Sequence, residues 1–200
     1  MHAAAMCSVG GVRALPTNLS GPVLLEPAVH RDQRGFFFES YRRTLMEEHA
    51  ASELVQHNHS RSRAGVVRGM HFQPGMGKLV RCARGAVFDV VVDIRRGSET
   101  FARWEGFQLD DVAHHQLWCP DGFAHGFCVL SEVADLVYGC TAYYDSAAES
   151  GFRYDDPDVA ISWPAGVELV ASERDRNAPL LAEIVDTLPS APTAGSRLPP

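Results

Sequence analysis

The stretch "GVVRGMHFQPGMGKLVRCARG", Gly65 to Gly85, sets a single histidine, His71, among Arg68, Arg81 and Arg84, with Gln73 and Lys78 close behind. Its spacing is regular. Gly65 is followed by five residues, then His71-Phe72-Gln73, then four residues, Lys78, six residues and Gly85. Such residue types can hold an anion, grip a metal or move a proton, and the neighbouring sequence has to decide among these.

Outward from this stretch the chain reads as strands. "AVFDVVVDI" (Ala86–Ile94) is β-branched and partly alternating, and the turn residues Arg96-Gly97-Ser98 follow it. "HQLWCP" stops at Pro120, and "HGFCVLS" and "DLVYGCTAYY" come at short intervals. Helix is expected over "YRRTLMEEHAA" (Tyr41–Ala51) and near "APLLAEIVDT". Strands joined by short turns, without helices between them, argue against a parallel α/β sheet and for an antiparallel jelly roll. The expected fold is therefore all-β, a jelly-roll barrel with a few short helices.

At 200 residues, 46% apolar and 22% charged, the chain suits one soluble globular domain. Residues 1–20 are expected to be a partly flexible arm, 21–187 the single domain, and 188–200, rich in Pro, Ser and Ala, a disordered tail. The net charge of −7 and the lack of a basic stripe argue against nucleic acid. No apolar run approaches membrane length, and no secretory signal is evident. Five scattered cysteines without a C-x-x-C pair suit reduced thiols and a cytoplasmic location. Six basic residues nevertheless fall between positions 61 and 84 (Arg61, Arg63, Arg68, Lys78, Arg81, Arg84), a local anion-binding prospect in an acidic protein.

The spacing around His71 resembles the first motif of metal-binding cupins, Gly-x5-His-x-His-x3–4-Glu-x6-Gly, and Pro120-Asp121-Gly122-Phe123-Ala124-His125 matches the second. Two of the first motif's three ligands are replaced, by Gln73 and Lys78. A protonated lysine has no lone pair for a cation and repels it, so the substitution turns a cation site into an anion site. No metal is expected there. His57-Asn58-His59 and His114-His115 lack a third ligand at matching spacing and read as ordinary polar residues.

Taken together, "RGFFFESY" (Arg34–Tyr41), "VQHNHSRSRAGVVRGMHFQ" (Val55–Gln73), "QLWCPDGFAHGFCVL" (Gln116–Leu130), "LVYGCTAYYD" (Leu136–Asp145) and "SERDRNAP" (Ser172–Pro179) resemble the dTDP-4-dehydrorhamnose 3,5-epimerase family, metal-free cupin barrels that act on nucleotide sugars. Streptomycin-type antibiotic-pathway epimerases are a close resemblance within it. The resemblance implies a cofactor-independent isomerase acting on a dTDP-4-keto-6-deoxyhexose. It implies His71 as base, Asp175 as its orienting carboxylate and Tyr138 as the acid across the sugar. Lys78 becomes the cation beside the enolate, with Arg68 and His125 assisting. Arg34, Glu39, Gln56, Asn58, Glu149 and Arg174 match substrate-binding positions, and Tyr144 matches the tyrosine that stacks on thymine. Arg174 stands where lysine is common, which keeps the charge and adds bidentate phosphate geometry. A homodimer is implied too, with Arg34 or Glu39 reaching the partner's site.

The residue types suit the chemistry. Hydrogens on C3 and C5 of a 4-keto sugar lie alpha to the carbonyl, so inversion needs a base, a donor across the ring and positive charge at O4. Histidine ordinarily titrates near pH 6.5 and tyrosine near 10, which gives a free base and a held proton at neutral pH. Inversion at one carbon only would use the same groups. A non-catalytic nucleotide-sugar-binding cupin would have lost one of them.

Overall fold

The computed structural model describes residues 8–9, 11–44, 47 and 53–191. In chain order the strands are β1 (Ser8–Val9), β2 (Val12–Leu15), β3 (Val23–Glu26), β4 (His30–Asp32), β5 (Gly35–Phe37), β6 (Gln56–Arg63), β7 (Val66–Phe72), β8 (Lys78–Arg84), β9 (Ala86–Asp93), β10 (Trp104–Asp110), β11 (Gln116–Cys119), β12 (Phe123–Val129), β13 (Val133–Cys140), β14 (Ser150–Gly151) and β15 (Val170–Ala171). One antiparallel sheet runs β1-β2-β3-β11-β8-β13-β6, and a second runs β10-β9-β12-β7-β14, with β15 added parallel to β7. β4 and β5 form a separate hairpin. This is the expected all-β jelly roll.

Period-two alternation explains how the layers stack. On β9, Val87 and Val91 point between the sheets and meet Phe107, Leu117, Phe127 and Leu136. Val90 and Val92, on the other face, pack under a C-terminal covering that includes Phe152, Val159, Leu181 and Leu188. β9 is thus buried on both faces, which is why "AVFDVVVD" is nearly continuous in apolar character. Each fully buried valine contributes roughly 1.5 to 3 kcal/mol.

Helix is sparse. Arg43, Thr44 and Glu47 are helical within the expected Tyr41–Ala51 segment, whose residues 45–46 and 48–51 lie outside the described residues. α1 (Glu173–Arg176) follows β15. The expected C-terminal helix forms as a 3-10 helix, Leu181–Thr187. Val12–Leu15, read from sequence as part of the arm, is a strand of the first sheet. Leu188, read as tail, is 2% exposed, and Ser190 bridges Arg96.

Asp93, fully buried at the end of β9, anchors the turn that follows. Its carboxylate accepts hydrogen bonds from Arg95 at 2.8 and 2.9 Å and from the hydroxyls of Ser98 and Thr100 at 2.6 Å each. Burial alone would raise this carboxyl, but these donors overcome it and hold it at about 2. Because the unfolded carboxyl titrates near 3.9, the unfolded chain takes up the proton first as pH falls. Asp93 therefore contributes on the order of 2 kcal/mol above pH ~4, a contribution lost as pH falls toward 2. Thermal unfolding midpoints should drop between pH 5 and 3 more steeply for the native chain than for Asp93→Asn, which is less stable throughout. Parallel slopes would refute the assignment.

Candidate active site

A cavity of about 500 Å³ opens between the two sheets. Arg68 and His71 of β7 and His125 of β12 face it from the second sheet, and Lys78 of β8 and Tyr138 of β13 from the first. Glu149, Arg174 and Asp175 complete its rim.

Arg68 and His71 are three residues apart, so in a regular strand they would face opposite ways. A bulge changes this. His125 pairs with His71 and Phe127 with Arg68, so two residues of β12 oppose three of β7, and the extra residue turns His71 onto the face of Arg68. The bulge depends on glycines at the contact. Gly69 has φ +146°, and a Cβ there would lie 2.6 Å from Gly126 Cα. A Cβ on Gly126 would lie 2.7 Å from Met70 Sδ and 2.9 Å from the Arg68 carbonyl.

β15 then delivers the carboxylate. Its parallel pairing, Val170 with Val66 and Ala171 with Val67, leads the chain into α1 beside β7. Ser172 caps α1 by accepting the Asp175 N–H at 3.0 Å. The Asp175 carboxylate, 6% exposed, lies 2.7 Å from His71 Nε2. Burial pushes Asp175 up, but the hydrogen bond to His71 and its charge, with the Ser172 hydroxyl nearby, outweigh it and hold the carboxyl below its ordinary value. With Nε2–H donated to Asp175, Nδ1 keeps its lone pair.

His125 makes a second, deeper pair, its Nε2 at 2.9 and 3.0 Å from the two oxygens of fully buried Asp89. Burial pushes the Tyr138 phenol up, so it stays protonated at neutral pH. Lys78 and Arg68 form no ion pair among the described residues, and Arg68 is held only by the Ser62 hydroxyl at 3.0 Å. They leave two uncommitted cations facing the cavity. Glu149 accepts from Arg174 at 2.6 Å and from the Tyr144 hydroxyl at 3.1 Å. Burial raises Glu149, but Arg174 prevails and keeps it ionised below its usual range.

The structure thus gathers most of the residues expected from sequence. Gln56, Asn58 and Tyr144 line a smaller lobe that shares Lys78, Tyr138 and Glu149 with the main cavity. Arg34 and Glu39 are elsewhere. Arg34 pairs with Asp32 on the β4–β5 hairpin and Glu39 with Arg42, and neither lines this chain's cavity. Of the six basic residues between 61 and 84, only Arg68 and Lys78 reach the cavity, while Arg61 turns outward to Asp135. Among the described residues, no group of three His, Cys, Asp or Glu converges as a metal site. Sequence reasoning missed Asp89. The available signal was an acid sharing the inward face of β9 with Val87 and Val91.

The model of the dTDP-4-dehydrorhamnose 3,5-epimerase family matches residues 16–183. The chain belongs to that family. It is 46% identical over 178 residues to the dTDP-4-dehydrorhamnose 3,5-epimerase of Salmonella typhimurium, covering 86% of this chain and 97% of that one. It is 44% identical over 180 residues to the dTDP-4-dehydrorhamnose 3-epimerase of Streptomyces niveus, covering 88% and 86%. A solved epimerase of the family, from Legionella pneumophila in complex with dTDP-4-keto-L-rhamnose, superposes with TM-score 0.88 at 43% identity, covering 91% of this chain and all of that one.

If the bulge is what aims His71, Gly126→Ala should cost roughly 1 to 3 kcal/mol of stability through overpacking and most of the turnover. Denaturant unfolding and a turnover assay check both. Full activity in that variant would show that the glycine contact does not aim His71.

Proposed function

We propose that this chain inverts C3 and C5 of dTDP-4-dehydro-6-deoxy-D-glucose, giving dTDP-4-dehydro-L-rhamnose. The observation that carries the reading is the His71–Asp175 pair at 2.7 Å, facing a protonated Tyr138 across a cavity that holds two uncommitted cations. His71 Nδ1 takes the proton alpha to the C4 carbonyl. Asp175 holds the imidazole in the required tautomer and stabilises the imidazolium that forms. The electron pair moves onto O4, where Lys78, Arg68 and the Asp89-backed His125 stabilise the enolate, an effect worth roughly 3 kcal/mol per donor. Tyr138 returns a proton to the opposite face and the carbon is inverted. Each inversion leaves His71 protonated and Tyr138 as a phenolate, so His71 releases its proton to water and Tyr138 regains one before the same cycle inverts the second carbon. No electrons leave the substrate, so the chemistry calls for no redox cofactor.

Glu149, Arg174, Gln56, Asn58 and Tyr144 are assigned to the nucleotide. We assign Arg174 to the diphosphate and Tyr144, 52% exposed at the lobe, to stacking on the base. A single inversion at C3 is the second reading. It is favoured by the Streptomyces niveus 3-epimerase, whose identity to this chain falls within the range of the 3,5-epimerases.

Turnover in D2O, read by NMR, should place deuterium at both C3 and C5. Label at C3 alone would replace the 3,5 assignment with the single one. His71→Ala should lose roughly 10²- to 10⁴-fold in turnover with the fold retained, and Tyr138→Phe should keep proton exchange better than net inversion.

We also propose a cytoplasmic homodimer. The four cysteines among the described residues are free and buried, which agrees with a reducing compartment. The β4–β5 hairpin carries exposed Phe36 and Phe37 beside Arg34, away from this chain's own cavity, as expected if it serves a partner's site. Mixing inactive Arg34→Ala and His71→Ala subunits then creates dimers with one intact site, so activity should return. Continued inactivity of the mixture would place Arg34 outside the partner's site.

A further inference from the structure

The loop after β13 presents Tyr144 with little apolar support, since Tyr143 and Tyr144 are 72% and 52% exposed. Its backbone is nevertheless held at three successive residues. Gln73, buried at 7% exposure just past β7, donates from Nε2 to the Tyr143 carbonyl at 3.0 Å and accepts the Asp145 N–H on Oε1 at 2.9 Å. Its one amide thus straddles residue 144, matching a donor and an acceptor as a neighbouring strand would. Gln56 Oε1 accepts the Tyr144 N–H itself at 2.8 Å. Beyond the clamp, the Asp145 carbonyl accepts the N–H groups of Ala148 and Glu149 at 3.1 and 2.9 Å, so the same anchor carries Glu149.

We infer that Gln73 is a positioning residue for nucleotide recognition: by clamping residues 143 and 145 it holds the Tyr144 ring and Glu149 where the nucleotide meets them. This rests on the reading of Tyr144 as the base platform. The chemistry favours glutamine over its neighbours in type. Glutamate would keep the acceptor but set a carboxylate against the Tyr143 carbonyl, and asparagine is one methylene too short to span both partners. The residue occupying a metal-ligand position in the cupin spacing is therefore engaged in binding geometry and not in the proton transfer.

The test is a double-mutant cycle on the full-length chain, with dTDP itself as the probe. Gln73→Ala should weaken dTDP binding roughly tenfold, the expectation for losing two hydrogen bonds on a partly solvated loop. KM should rise with it while kcat changes less than twofold, and Gln73→Met, which retains side-chain volume, should behave alike if the alanine variant folds poorly. In a Tyr144→Ala background the same change should cost clearly less than it does alone, because the clamp then has no ring to position and only Glu149 left to hold. Additive losses in the double variant, or unaltered dTDP affinity in both Gln73 variants, would overturn the positioning role. Undiminished dTDP affinity in Tyr144→Ala alone would remove the stacking reading instead, and the role built on it.

Discussion

Opposite Arg68 and His71, β7 advances three residues while β12 advances two, and the surplus residue turns an imidazole that would otherwise face the C-terminal covering toward the cavity. The rest of the site follows from that register. β15 can bring Asp175 to His71 because it pairs with the first part of β7, below the bulge. His125 lies directly across from His71 in the ladder, so the two imidazoles, each backed by a carboxylate, share one wall. The facing sheet supplies Lys78 and Tyr138. A methyl group at Gly69 or Gly126 would collide with the opposing backbone or Met70, so the arrangement tolerates no side chain at its closest approach.

Charge is distributed by depth. Of the buried acids, the two beside the cavity, Asp89 and Asp175, are each committed to a histidine, which satisfies the requirement that a buried carboxylate be paired. Lys78 and Arg68 have no acidic partner among the described residues. At the rim, Tyr144, Glu149 and Arg174 form a hydrogen-bonded set attached to the clamp of Gln73 and Gln56. His71 and Tyr138, the proposed base and acid, lie on strands, whereas Tyr144 and Glu149 lie on the loop between β13 and β14.

How much was legible beforehand differs from residue to residue. The spacing Gly65-His71-Lys78-Gly85 and the β-branched run Ala86–Ile94 indicated the strands of a jelly roll, because alternation and turn chemistry act locally. His71, Tyr138 and Asp175 were found through resemblance, since a strand tyrosine or a loop acid carries no functional mark of its own. Asp89 was missed because its partner, His125, lies 36 residues away and becomes a neighbour only when β9 pairs β12. Resemblance matches Arg34 and Glu39 to substrate-binding positions and implies that they reach a partner's site, and this chain's folding carries them on a hairpin and its flank away from its own cavity.

The sequence by itself determined the fold class, the replacement of two metal ligands by Gln73 and Lys78, and the set of residue types suited to proton transfer. These depend on identity and short-range spacing. Tertiary structure alone decided which side of its strand His71 faces, which carboxylate each histidine receives, and that Gln73 reaches across to residues 143 and 145. Each of these outcomes depends on a strand register or a contact between segments distant in the chain. A single-residue shift in register reverses every side chain's face, so period and composition cannot specify it.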